Sequence, residues 1–260
     1  MKNFIIGDIG NTITKISLVE GKNYKIKKII YFNSKNVLLR KNLIKYFNKI
    51  IKTNKINKFA LFSSVVPKYE SILKLFLKNK YGIILKEIKN KKIKKIVLID
   101  IKNKNQVGSD RIANAVGAYK LYKTNSIILD FGTATTFDVV SKKGVYNGGV
   151  IAPGVNLSMK SLSTFGDQIP LFLLKKQKRI VGKNTIEALR SGFYWGYLGL
   201  INNIIMKIQK ETKKKYKIVF TGGYADLFKT SIIRPFAVDR NITIKGIIEI
   251  FKENKKYLTK

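Results

Sequence analysis

Ile127-Ile128-Leu129-Asp130-Phe131-Gly132-Thr133-Ala134-Thr135-Thr136 is an apolar β-type run that closes on Asp-x-Gly and passes into a threonine-rich turn. The same pattern opens the chain, in Phe4-Ile5-Ile6-Gly7-Asp8-Ile9-Gly10-Asn11-Thr12, with the two aspartates 122 residues apart. Each stretch continues into a second β-like run, Ile16 to Val19 and Phe137 to Val140, and then a third, Tyr24 to Tyr31 and Val145 to Ile151. Glu20-Gly21 and Lys143-Gly144 separate these runs as short hairpin connections do. A hairpin-plus-strand unit repeated at nearly half of 260 residues predicts two similarly folded halves.

Outward from these runs the chain alternates helix and strand. Leu38, Leu39, Leu43, Ile44, Phe47 and Ile50 have the spacing of one helical face over Val37 to Ile51. A buried strand is expected at Lys58 to Ser63, then a helix with Pro67 in its first turn. Ala113, Ala115, Gly117 and Ala118 predict a closely packed helix over Arg111 to Tyr122. The longest helical pattern runs from Thr185 to Lys210, with Asn184-Thr185-Ile186-Glu187 as a capping sequence and Glu187 reaching back. A strand at Lys217 to Phe220 leads into Thr221-Gly222-Gly223, and a closing helix covers Ile244 to Lys252. The division falls near residues 122 to 126, giving domains 1–123 and 124–260 of an α/β protein.

Composition narrows the chemistry. There is no Cys and no His, so disulfides, thiolate nucleophiles, Ser-His-Asp triads and His- or Cys-ligated metals are excluded. Any catalysis must run on carboxylates, Lys and Arg, hydroxyls, backbone amides or bound ions. Lys and Arg number 52 against 15 Asp and Glu, a formal charge of +37. Such a charge could attract phosphates, yet only six of the 52 are Arg, the residue suited to forked phosphate and base contacts. Abundant Lys, Asn, Ile, Tyr and Phe all have AT-rich codons, so genome composition accounts for the bias and no nucleic-acid partner is expected. No apolar stretch reaches 18 residues, and the opening Met1-Lys2-Asn3-Phe4-Ile5-Ile6 meets charge and glycine too early for a signal sequence. A cytoplasmic protein with no membrane segment is expected.

With acidic residues so scarce, their positions are informative. Asp8, Asp110, Asp130 and Asp138 all lie in or just beyond glycine-containing turns or helix starts. One Asp-x-Gly is an ordinary turn. Two in matching strand contexts, each followed by hydroxyls, read as a two-sided phosphate cradle, because glycine lets amides approach an anion while the carboxylate can hold a hydrated cation. Asp110-Arg111 by itself reads first as a helix start whose acid favours the dipole and whose arginine is solvated. Thr185 is equally a helix-capping residue, Asp138 a polar strand residue, and Gly222-Gly223 a strand-to-helix turn.

The repeated Asp-x-Gly-x-Thr hairpins resemble the actin, sugar kinase and Hsp70 ATPase superfamily. That resemblance implies two ribonuclease-H-like domains, each a mixed sheet flanked by helices, with the active site in the cleft between them. The finer resemblance is to type III pantothenate kinase. Asp8-Ile9-Gly10-Asn11-Thr12-Ile13-Thr14-Lys15 is similar to that family's first phosphate motif, and Gly108-Ser109-Asp110-Arg111 to its pantothenate motif, where Ala usually stands in place of Ser109. Asp130 to Thr136 and Gly148-Gly149-Val150-Ile151-Ala152-Pro153-Gly154 match its second-domain signatures, and Gly182-Lys183-Asn184-Thr185 and Thr221-Gly222-Gly223 follow in the family's order.

The resemblance implies ATP-dependent phosphorylation of pantothenate to 4′-phosphopantothenate, the first step of coenzyme A biosynthesis. Asp8, Ile9, Gly10, Asn11, Thr12, Ile13, Thr14 and Lys15 would wrap the phosphates of ATP, with Thr133 also touching the nucleotide. Gly108, Ser109, Asp110, Arg111 and Thr185 would bind pantothenate, and Asp110 would accept the proton of the attacking hydroxyl. Asp130 matches the ligand of a monovalent cation, potassium or ammonium; Mg²⁺ would accompany ATP. A homodimer built on the second half is also implied, although the small-residue face Gly192, Gly196, Gly199 fits packing within the chain as well. One departure stands out: the family usually has Tyr and Pro where this chain has Ile101 and Lys104. Two other readings follow from the same motifs: a regulatory relative like the Bvg accessory factor group, and a kinase of another small hydroxyl substrate.

Overall fold

The computed structural model describes residues 2–52, 54–229 and 236–258. Its elements run β1 (Asn3–Ile9), β2 (Ile13–Val19), β3 (Ile26–Asn33), α1 (Arg40–Ile51), β4 (Ile56–Ser64), α2 (Pro67–Tyr81), β5 (Ile84–Glu87), β6 (Leu98–Ile99), α3 (Ser109–Tyr122) and β7 (Ser126–Phe131). They continue through β8 (Ala134–Val140), β9 (Val145–Pro153), α4 (Val155–Phe165), α5 (Thr185–Thr212), β10 (Lys217–Gly222), α6 (Ala225–Phe228), β11 (Phe236–Val238), α7 (Ile242–Glu253) and α8 (Lys255–Leu258).

Two compact units result. The first comprises residues 1–122, 144–146 and 241–260; the second comprises 123–143 and 147–240. The first unit holds a sheet in the order β3-β2-β1-β4-β5, with β1 antiparallel to β2 and parallel to β4. The second repeats it: β9-β8-β7-β10-β11, with β7 antiparallel to β8 and parallel to β10. The internal repeat is therefore a repeat of topology as well as of motif. Strands β1 and β7 are buried along nearly their whole length, as central strands of a sheet covered on both faces must be.

In the first unit, Ile5, Ile9, Ile16, Ala60, Phe62 and Leu85 share one sheet face with Phe47 and Leu77 of α1 and α2 in a single core. Strand alternation turns Phe4, Ile6 and Asp8 to the other face, where Phe4 meets Phe251 of α7, ring centroids 4.2 Å apart. Helix α7 crosses α3 at glycines: a Cβ on Gly246 would fall 1.8 Å from the Ala113 carbonyl oxygen, and one on Gly117 2.6 Å from that of Ile242. The small residues of α3 thus have the close partner that their size requires. Thr243 Oγ1 donates to Asn114 Oδ1 at 2.8 Å within this crossing. The sequence division into 1–123 and 124–260 differs from the observed units at this point, because α7 packs with the first unit, as do residues 144–146 through the pairing of β6 with Val145 and Tyr146.

The second unit's core lies between its sheet and α5: Ile127, Leu129, Phe131, Phe137, Ile218 and Phe220 pack with Tyr194, Leu198, Ile201 and Ile205. Two local readings are refined. The helix expected from Val37 begins at Arg40; Ser34–Leu38 is a 3-10 turn started by the Asn33 side chain accepting from Lys35 N, and Leu39 is extended. At α5, Asn184 Oδ1 accepts from Glu187 N at 2.9 Å, while Glu187 Oε2 reaches back past the cap to Lys183 N, also 2.9 Å.

Candidate active site

The first unit builds its site at the end of β1. Asp8 is 7% exposed, and it is in register with Lys15 of β2 on one side and Ser63 of β4 on the other. Ser63 Oγ donates to Asp8 Oδ1 at 2.5 Å, and Lys15 Nζ lies 3.9 Å from Asp8 Oδ2. The turn from β1 to β2 is closed by Gly10 N donating to Ile13 O at 3.1 Å. Ser34 fastens its far side, donating Oγ to Gly10 O at 2.6 Å and N to Thr12 O at 2.8 Å. Because Ser34 has one hydroxyl proton, Thr14 must donate in the 2.9 Å bond between the two hydroxyls. Thr14 and Ile9 are buried and support the turn; Asn11, Thr12 and Ile13 are exposed on it.

Strand β4 carries the connection onward. Val65 N donates to Ile9 O at 3.1 Å. Ser109 Oγ donates to Ser64 O at 2.5 Å and accepts from Ser64 N at 2.9 Å. The Ser109 side chain, a substrate-binding candidate by sequence, is buried and spent on this backbone clasp, which sets the start of α3 against the end of β4. Gly108 gives its carbonyl to Ile112 N as the first bond of the helix. A Cβ on Gly108 would lie 2.5 Å from Asp110 Oδ1, so only glycine lets that carboxylate fold back to accept from Arg111 N at 2.8 Å. The Arg111 guanidinium stands 5.9 Å from the centroid of the buried Tyr146 ring. Asp8, Lys15, Asp110 and Arg111 are brought to one edge of one unit by three serines, Ser63, Ser64 and Ser109. Ser63, Ser64 and Tyr146 carry no motif in the sequence beyond a hydroxyl pair closing an apolar strand. Ile101 is half-buried and follows Asp100, whose N donates to Tyr146 O at 2.9 Å.

The second unit places Asp130 at the equivalent strand end, in register with Thr136 of β8 and Thr221 of β10. Thr221 Oγ1 is buried with no hydrogen-bond partner among the described residues. Gly222 has φ +85°, and a Cβ there would lie 2.7 Å from Asp130 Oδ1. Thr133 is exposed on the turn between β7 and β8. Thr185 opens α5 and lines, with Pro153, Ser158, Leu189, Gly192 and Gly196, a cavity of about 640 Å³ between α4 and α5.

A family model for type III pantothenate kinases matches residues 4–207. The chain belongs to that family. This kinase is 50% identical over 246 residues to the type III pantothenate kinase of Pelagibacter ubique strain HTCC1062, covering 94% of this chain and 96% of the relative. It is 37% identical over 198 residues to that of Citrifermentans bemidjiense, covering 76% and 78%. Among solved structures, a Campylobacter jejuni protein described as a Baf family transcriptional activator superposes with a TM-score of 0.63 at 22% identity, covering 97% of this kinase and all of that chain. ADP-bound MreB5 of Spiroplasma citri gives 0.52 at 12% identity, covering 98% of each. Both likenesses concern the fold, which is that of actin-like ATPases and sugar kinases. As a type III pantothenate kinase the protein is a phosphotransferase that uses ATP to phosphorylate pantothenate in coenzyme A biosynthesis. Among the described residues no helix is long and apolar enough to cross a membrane.

Proposed function

We propose that the Asp8–Lys15 turn receives the phosphates of ATP and that Gly108–Arg111 presents the pantothenate hydroxyl to the γ-phosphate. The observation that carries this division of roles is that adjacent residues of β4 reach both motifs, Ser63 bonding Asp8 and Ser64 bonding Ser109, which ties a phosphate-type turn to a carboxylate at a helix start. The amides of Asn11 and Thr12 and the Lys15 ammonium donate to phosphate oxygens, while Gly10 N keeps the turn closed on Ile13 O and Asp8 holds Lys15 and its charge in place. Asp110 accepts the hydroxyl proton, and in a loose transition state its larger task is to orient that hydroxyl. Arg111 offers its fork to the substrate carboxylate. Thr133 meets the nucleotide and Thr185 the substrate. Mg²⁺ bound with ATP neutralises charge that gathers on the transferring phosphoryl group.

Asp130 and the Thr221 hydroxyl fit a monovalent cation, potassium or ammonium: a carboxylate and a buried, unpartnered oxygen share one face of the sheet, and these are the hard oxygen ligands such an ion takes. Bound there, the ion would supply positive charge at this strand end. A homodimer through the second unit is supported by α5, where a Cβ on Gly192, Gly196 or Gly199 would meet nothing within 4 Å. Among the described residues nothing packs against these exposed glycines, unlike Gly117 and Gly246, and they leave room for a neighbouring helix. We place the enzyme in the cytoplasm, with its nucleotide substrate.

The test is ADP release from MgATP across a panel of small hydroxy acids, with the product identified by mass, for the native chain and for Asp110→Asn. Pantothenate should give the largest kcat/KM, and Asp110→Asn should fold normally while turnover falls roughly 10²- to 10⁴-fold. Preference for a different hydroxyl substrate, or full turnover in Asp110→Asn, would overturn the assignment.

A further inference from the structure

Behind the Gly108–Arg111 segment lies an acid–base pair that the reaction above does not use. Glu87 ends β5, in register with Phe62 of β4. Its Oε2 accepts from Lys89 N at 2.6 Å, whereas its Oε1 is buried with no hydrogen-bond partner among the described residues. The Ser109 hydroxyl adjoins this carboxyl, but its single proton goes to Ser64 O at 2.5 Å, and one hydroxyl cannot donate to both. The Lys89 ammonium turns the other way. It donates to the carbonyls of Asn105 and Val107, each at 3.0 Å, and these residues lead directly into Gly108. Lys89, the first residue of the lysine-rich stretch Lys89-Asn90-Lys91-Lys92-Ile93-Lys94-Lys95, is thus a strap over the loop that precedes the substrate motif.

The groups facing Glu87 are Glu70 from the first turn of α2, Ser109 from α3 and Lys89 from its own segment. Burial, with Glu70 repelling, pushes the Glu87 carboxyl up to about 7 against the opposing pull of Lys89 N–H.

We propose that Glu87 and Lys89 position the Gly108–Arg111 segment for its substrate, Lys89 by holding the two carbonyls ahead of Gly108 and Glu87 by competing with Ser64 for the proton of Ser109. A neutral Glu87 leaves the Ser109 hydroxyl on Ser64, the arrangement observed. An ionised Glu87 is the stronger acceptor and draws the proton away, loosening the clasp between β4 and α3. The substrate motif is then held most tightly below neutral pH and loosens as pH rises through the Glu87 transition. Both are positioning residues, acting through Ser109 and the 105–107 loop.

The consequence for turnover rests on the kinase reading; the consequence for the loop does not, so both are measured. Hydrogen exchange of the amides in residues 104–112, corrected for the intrinsic effect of pH, should be several-fold faster at pH 8 than at pH 6 in the native chain, with the difference gone in Glu87→Gln. Lys89→Met should speed exchange of the same segment at both pH values. In steady-state kinetics Lys89→Met should raise the Michaelis constant for pantothenate roughly 5-fold, with kcat and the constant for ATP changed less than about 2-fold. Glu87→Gln should flatten the alkaline limb of kcat/KM for pantothenate near neutrality. Exchange in Glu87→Gln that keeps the native pH difference, or an unaltered pantothenate constant in an active Lys89→Met enzyme, would overturn the proposal. A native chain inactive on pantothenate would refute the kinase reading instead, while the exchange data would still decide whether the strap operates.

Discussion

The two units present the same strand end with different chemistry. Asp8 and Asp130 each close a central strand, each with a neighbour on an antiparallel strand and another on a parallel one. In the first unit those neighbours are Lys15 and Ser63, and Ser63 donates to the aspartate. In the second they are Thr136 and Thr221, and the Thr221 hydroxyl has no hydrogen-bond partner among the described residues. The first position pairs its carboxylate with an ammonium, and the proposed reading gives this turn the anion. The second sets threonine oxygens in register with its carboxylate, and the proposed reading gives it the cation. The duplicated topology supplies two similar turns, and a few side chains at fixed register positions give them different chemistry.

The comparison is broken most severely by making the first turn like the second. Lys15→Thr copies the residue at position 136, and the loss of one charge-assisted contact to phosphate should raise the Michaelis constant for ATP roughly 10- to 100-fold. The constant for pantothenate should move far less. Equal losses for both substrates would mean that Lys15 supports the fold of the turn rather than the nucleotide.

A smaller change sharpens the other side. Thr221→Val keeps the shape of the residue and removes the unpartnered hydroxyl. Half-activation by potassium should need about 3- to 10-fold more of the ion, while thermal stability without potassium stays level or rises by up to about 1 kcal/mol. A stability gain with no change in the potassium requirement would reduce Thr221 to an uncompensated buried hydroxyl.

A separate effect, on stability against pH and not on a substrate or ion constant, concerns Glu87. Glu87 is raised from 4.5 to about 7 in the folded protein, so the native state holds a proton that the unfolded chain releases between those values. Stability from this group is fully present below pH 4.5 and is lost as pH rises through 7, up to about 3 kcal/mol in all. Glu87→Gln lacks the titration, so the variant should unfold at a higher temperature than the native chain at pH 8, with the advantage vanishing toward pH 5. Parallel melting curves for the two proteins across that window would rule out a raised carboxyl at this position.

Much of this was legible in the residues themselves. The central strands announced themselves because Phe4 to Ile9 and Ile127 to Phe131 are continuous apolar runs broken only at Asp-x-Gly, and their spacing revealed the duplication. Asp8, Asp110 and Asp130 stood out because acids are so rare in this chain. The home of α7 was not legible: its apolar residues say that it is buried, but which sheet covers it depends on Gly246 meeting Gly117 across a long stretch of chain. The break at Leu39 was hidden because Leu38, Leu39 and Leu43 keep helical spacing through a segment that Asn33 turns into a 3-10 start. The roles of Ser63, Ser64 and Lys89 escaped because a hydroxyl at a strand end and a lysine in a lysine run carry no pattern until partners are known.

The most direct test of the contrast between the two turns is pantothenate-dependent ADP release titrated with potassium against sodium at constant ionic strength, for the native chain and Asp130→Ala. The expected result is a saturating rise with potassium, little response to sodium, and a flat potassium response in Asp130→Ala. Equal rates in the two salts, or potassium activation that survives in Asp130→Ala, would contradict the assignment of the second strand end to a cation.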